Sequence, residues 1–172
     1  MLIRLILLSF LSLAIVEVVR ATSFGRTETA DITTIDKQVA ICLPHDAGKV
    51  FSVGWISLSE SYVRHAGSWG VSLKSGGSPL VLSPGDCVVF GVVPNGYELD
   101  DYKIQGRPLQ LGVNRTYVFS LIDARRPRDS YTAIFCVNEN ADGSFEFLQY
   151  VRSADGTEVI PVCDAKRKKT VG

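Results

Sequence analysis

The sequence predicts an all-β protein, an antiparallel immunoglobulin-like β-sandwich, on three observations. Past the first 21 residues, apolar residues recur with a period of two or in short continuous runs, and never at i, i+3, i+4, i+7 for three turns. Those runs are rich in Val, Ile, Phe and Tyr, the residues that pack well on a pleated surface. Gly, Pro, Asn and Asp clusters punctuate them at the short intervals of a sandwich. A small β-barrel is the rival arrangement. The Cys…Trp…Cys spacing of antibody domains is missing, so the expectation concerns architecture and not membership of that family.

Met1–Ala21 comes first and reads as an export signal: Arg4, an apolar run from Leu5 to Val16, then Val19 and Ala21 as the small residues of a cleavage site. The run is too short for a comfortable span of ~20 residues, and Glu17 ends it. An uncleaved N-terminal anchor is the alternative. Residues 22–163 are expected to form one domain. Its strands are expected at Thr27–Thr34, Gln38–Leu43 (closed by Pro44), Val50–Leu58 and Ser68–Lys74. In the last of these Trp69, Val71 and Leu73 share one face.

Gly76-Gly77-Ser78-Pro79 reads as a hairpin loop and Ser83-Pro84-Gly85-Asp86 as a turn in which proline presets φ and glycine supplies a positive one. Cys87–Val93 is continuously apolar, as in a central strand covered on both faces. Arg115–Ile122 puts Tyr117, Phe119 and Leu121 on one face, and Tyr131–Val137, Phe145–Val151 and Glu158–Val162 follow. Asp142-Gly143 and Asp155-Gly156 are tight-turn signals. Trp55 and Trp69 fall on strands and read as core. Lys166-Arg167-Lys168-Lys169 lies in a basic tail, 164–172.

The chain has 18 basic and 18 acidic residues, and cleavage after Ala21 removes Arg4, Arg20 and Glu17. A mature net charge of about −1 argues against a nucleic-acid partner, which favours a basic face. All four cysteines (Cys42, Cys87, Cys136, Cys163) lie beyond the signal. In exported proteins such cysteines are usually disulfides. Their spacings of tens of residues do not make the close pairs of a zinc site. Three connectivities are open. If the second and fifth strands are antiparallel neighbours in one sheet, the end of one lies beside the start of the other, which favours Cys42–Cys87 and leaves Cys136 for Cys163.

Chemistry is sparse. His45 and His65 both sit in expected loops without a serine or cysteine motif nearby, and the Gly-x-Ser-x-Gly, His-Glu-x-x-His and phosphate-loop patterns are absent from the sequence. No metal or cofactor is expected. Two charged loops stand out as candidate partner contacts: Arg125, Arg126 and Arg128, whose guanidinium groups suit bidentate pairing with carboxylates, and Tyr97, Glu98 and Asp101, with Asp100 beside them. Each is also an ordinary solvated loop in composition. Asn114-Arg115-Thr116 fits the glycosylation triplet, which matters only in a host with that machinery.

A set of dispersed elements carries a resemblance: Ile41-Cys42-Leu43-Pro44, Trp69, Leu82-Ser83-Pro84-Gly85-Asp86-Cys87, Gly91 with Pro94-Asn95-Gly96-Tyr97, and Tyr117-Val118-Phe119 before Phe135-Cys136-Val137. Over about Gln38–Val137 the chain resembles the type VI secretion immunity periplasmic lipoproteins of bacteria. Those proteins carry a lipid-attachment cysteine at the end of the signal, where this chain has Val19-Arg20-Ala21. The resemblance implies an unlipidated periplasmic protein that binds and neutralises a secreted effector toxin, with Cys42 and Cys87 as structural cysteines. Secretion from the cell, or tethering by the uncleaved segment, is the alternative location. A structural or assembly module of the envelope or of a surface appendage is the alternative function, and a hydrolase is the reading the motifs favour least.

Overall fold

The computed structural model describes residues 25–100, 108–152, 156–159, 161 and 163. Met1–Ala21, expected to be a signal, Asp101 and the basic tail lie outside the described residues. Among those described there is no helix, and hence no helix long and apolar enough to cross a membrane. The strands are β1 (Thr27–Thr29), β2 (Asp31–Ile35), β3 (Gln38–Cys42), β4 (Phe51–Glu60), β5 (Ser68–Leu73), β6 (Leu80–Leu82), β7 (Cys87–Val89), β8 (Tyr97–Leu99), β9 (Thr116–Asp123), β10 (Ser130–Glu139), β11 (Phe145–Gln149), β12 (Val151–Arg152) and β13 (Glu158–Val159).

An eight-stranded sheet runs β1-β10-β9-β4-β5-β8, with β11 on the far half of β10 and β6 beside the start of β4. A three-stranded sheet runs β2-β3-β7, and β12 pairs with β13. Strand pairing is antiparallel except for β1 on β10. Neither sheet closes on itself, so the barrel alternative is set aside. One hydrophobic cluster draws on both sheets: Val39, Ile41 and Val88 from the smaller, Ile56, Leu58, Val71, Phe119, Leu121 and Phe135 from the larger. The alternation read in β9 holds, since Tyr117, Phe119 and Leu121 are all fully buried. Trp69 and Leu73 pack against the same cluster. Trp69 meets Phe90 edge to face at 5.3 Å, joining β5 to the residue after β7.

Four expectations need correction. The first strand is not continuous. It breaks at buried Ala30, where the chain leaves the larger sheet (β1) for the smaller (β2). The Gln149 side chain bridges the break: its amide donates to the Ala30 carbonyl at 2.6 Å and accepts from the Ile32 N–H at 2.8 Å. Those are the bonds a neighbouring strand would otherwise make. Second, Cys87–Val93 is not a covered central strand. β7 stops at Val89, Phe90 and Gly91 turn (Gly91 φ +85°), and Val92 and Val93 are exposed. Among the described residues β7 ends the smaller sheet and pairs only with β3. A continuous apolar run cannot by itself separate a strand from an apolar turn.

Third, Trp55 is not on the core face. The register of β4 against β9 shifts between Val53 and Trp55, so Ile56 and Leu58 turn inward and Trp55 lies on the other face. Gly54 sits at the shift because a Cβ there would stand 2.6 Å from the Ala124 backbone. Fourth, the Pro94–Tyr97 connection leads into a strand, β8, which with β6 escaped the sequence reading because each is only three residues long. The β2–β3 hairpin turns on Asp36 and Lys37, both at positive φ, the signature of a two-residue primed turn.

Both disulfides form, as Cys42–Cys87 and Cys136–Cys163. Cys42 and Cys87 are direct partners across β3 and β7, with Cα atoms 4.0 Å apart. The bonds on either side (Leu43 N–H to Asp86, Phe90 N–H to Val39) make this a non-hydrogen-bonded pair, where facing residues are closest. Cys136 on β10 is bridged to Cys163, which fastens the segment after β13 to the larger sheet.

Candidate functional site

β9 and β10 are joined by a tight turn that carries the three arginines. Its backbone is held by two aspartates. Asp123, buried at the end of β9, accepts the N–H groups of Arg125 and Arg126, both at 2.8 Å. This is the local side-chain-to-backbone bonding that makes Asp a turn residue. Asp129, at the start of the return strand, accepts the Arg26 N–H at 3.1 Å and lies 3.1 Å from the Arg126 guanidinium. Its backbone N–H donates to the Arg126 carbonyl at 2.8 Å, and its carbonyl accepts from Asp123 at 3.0 Å.

Arg126 is engaged within the turn, between Asp129 and, at 4.0 Å, Asp123. All three arginines are nonetheless exposed, Arg126 with 59% of its side chain accessible.

The turn shares one end of the fold with the β3–β4 connection. β4 begins opposite the end of β9, and Ala124 N–H donates to the Ser52 carbonyl at 2.8 Å. Between them run two shallow clefts, the larger of about 420 Å³, that meet at Arg26, Glu28 and Tyr131. Their walls carry both signs: Arg26 and Lys49 against Glu28, Asp31 and Asp46. Arg26 pairs with Glu28 at 2.8 Å. The Tyr131 hydroxyl donates to Glu28 at 3.1 Å. Burial pushes the Tyr131 phenol above its ordinary value, and the bond to the Glu28 carboxylate adds to that. Tyr131 is in turn packed edge to face on Phe51, at 5.0 Å.

The second loop is placed differently. Tyr97 is 3% exposed. Its hydroxyl donates to the Val53 carbonyl and accepts the Leu80 N–H at 2.9 Å, so one phenol ties β4, β6 and β8 together. Burial raises its pKa, partly offset by the Leu80 N–H. Tyr97 is a core residue and does not reach the surface. Glu98 is exposed on β8 opposite Ser72. Asp100 is buried and accepts from Trp55 Nε1 and Ser72 Oγ. Asp101 lies outside the described residues. His45 and His65 are exposed, and the His45 ring lies against Gly85. Among the described residues no group of three His, Cys, Asp or Glu side chains is arranged to hold a metal ion.

Sequence reading missed Arg26, Lys49, Asp123 and Asp129 as parts of this end. Asp123 had a readable signal, an aspartate closing an alternating strand just before Arg-Arg-Pro. Arg26 and Lys49 had none, because only the register of β1 on β10 and of β4 on β9 brings them there. Comparison with protein-family models, curated proteins and solved structures returns no match.

Proposed function

We propose that this chain is a non-enzymatic periplasmic protein of immunity type, which binds a secreted effector toxin at the end formed by the β9–β10 turn and the β3–β4 connection. The observation that carries this reading is the turn itself. Two carboxylates fix its backbone while Arg125 and Arg128 stay exposed. A turn held in this way loses little conformational entropy on binding, and exposed arginines suit carboxylates on a partner. The disulfides suit an oxidising compartment outside the cytoplasm.

An immunoglobulin-like sandwich is the finer fold we infer. In its support, β2, β3 and β7 stand where that fold has its A, B and E strands, and β10, β9, β4 and β5 where it has G, F, C and C′. Tyr117, near the start of β9, accepts the Gly112 N–H at 2.7 Å, as the tyrosine of that fold's corner bonds to the backbone a few residues upstream.

The test is capture of the effector by the disulfide-bonded chain and by its Arg125→Glu/Arg128→Glu variant. The parent is expected to capture the toxin and protect the cell, the variant to bind at least tenfold more weakly. Equal capture by both would remove the assignment to this turn. Failure of the parent to protect against any co-resident effector would remove the immunity reading.

One observation favours the assembly-module alternative. Among the described residues β7 is a sheet edge without a second partner, followed by exposed Val92 and Val93, a place for a donated strand to add. Under that reading the isolated protein self-associates through β7, and a Val89→Pro substitution, at a position whose N–H points away from β3, reduces it to monomers. A parent that is already monomeric at high concentration excludes this alternative.

A further inference from the structure

We propose that the cleft between the end of β4 and residues 108–115 is a second binding site, for a monoanionic carboxylate on a short apolar stem. It lies at the other end of β9 from the arginine turn. Arg115 precedes that strand and Arg125 lies beyond its end, so the strand's eight residues, about 26 Å at strand rise, lie between them.

The cleft is built around one buried charge. β4 sends Ile56, Leu58 and then Glu60 toward the core, and the Glu60 side chain is 4% exposed. Arg115 meets it, Nη1 to Oε1 at 2.5 Å, while remaining half exposed itself. A buried ion pair is seldom a net stabiliser compared with apolar packing. What this pair does is fix a guanidinium at the mouth of a cleft. The stem of Arg115 runs close over Gly112, where a Cβ would stand 3.2 Å from both Cδ and Nε. Gly112 is itself held by the Tyr117 hydroxyl at 2.7 Å.

A guanidinium offers five N–H donors. Glu60 engages Nη1, and the other nitrogens have no protein acceptor among the described residues. The space in front measures about 380 Å³ and is lined by Pro108, Leu109, Leu111 and Gly67, a size that suits a small ligand or one side chain. The leucines supply an apolar wall and Arg115 the anion contact. Because the buried Glu60 carboxylate already stands against Arg115, a single negative charge is tolerated next to it far better than the double charge of phosphate. That selects a carboxylate over a phosphoryl group.

The test uses the disulfide-bonded chain and three probes in calorimetric titrations: N-acetyl-leucine, N-acetyl-leucinamide and inorganic phosphate. The acid is expected to bind at least tenfold tighter than the amide or phosphate. In the Glu60→Gln/Arg115→Gln variant, which leaves no buried charge unpaired, that preference is expected to disappear. Should the double variant fail to fold, Gly112→Ala serves instead; by displacing the Arg115 stem it should weaken the acid several-fold and leave the amide unchanged. Equal binding of acid and amide, tighter binding of phosphate, or acid binding untouched in the variants would overturn the proposal.

Discussion

Two tyrosines show most plainly how single side chains hold this molecule together. Tyr97 and Tyr117 both bury a ring and use the hydroxyl on the backbone. Tyr117→Phe keeps the packing but leaves the Gly112 N–H without its partner. We expect a loss of ~1–2 kcal/mol, the cost of a buried unsatisfied donor, seen as a lower urea midpoint at unchanged slope; a shift within error would show that water replaces the phenol. Burial raises both phenols above their ordinary value. The unfolded chain therefore ionises first, near pH ~10. The stability these groups contribute is full below that pH and is lost as pH rises through the folded values. The urea midpoint should accordingly fall between pH 9 and 11, less steeply in Tyr117→Phe than in the parent. At this scale the sequence was partly legible. The cysteines announced their bonding by number and compartment. Tyr97 did not announce its burial, because a tyrosine after Pro-Asn-Gly looks like any loop aromatic until β8 pairs with β5.

Among the elements, the long strands with a clear period of two were readable. β9 buries the residues its alternation picks out, and β3 is the short apolar run closed by Pro44. What escaped reading was decided by neighbours. β1 and β2 differ only in which sheet claims them, and Gln149, more than a hundred residues away in sequence, decides where the break falls. Glu60 escaped because the strand was expected to end at Leu58, although it continues the Ile56, Leu58 alternation. The β9–β10 turn carries a prediction at this scale. Asp123→Ala removes the acceptor of two backbone N–H groups and one contact of Arg126. It should cost ~1–3 kcal/mol and weaken partner capture, while Arg125→Ala affects capture alone. If Asp123→Ala bound the partner as well as the parent, the rigidity of the turn would be irrelevant to recognition.

The whole molecule is stapled at two places that differ in kind. Cys42–Cys87 lies inside the smaller sheet, between strands already paired, and closes 45 residues; Cys136–Cys163 closes 27 and fastens a segment outside both sheets. Chain entropy alone assigns ~4 and ~3.5 kcal/mol to them. Replacing each pair by serines and measuring urea unfolding should give losses of that order, and a loss below ~1 kcal/mol for either would mean that its loop is already restricted in the unfolded chain. Hydrogen exchange should separate them further: without Cys136–Cys163 only the last segment opens, whereas without Cys42–Cys87 the smaller sheet loses protection as a unit. The parallel pairing of β1 with β10 has a consequence in time. Thr27 waits for Ser130, so the first strand made is among the last to find its place. A polypeptide emerging from its N-terminus keeps that strand unmatched until most of its length has followed. So large a separation between partners slows completion of the larger sheet.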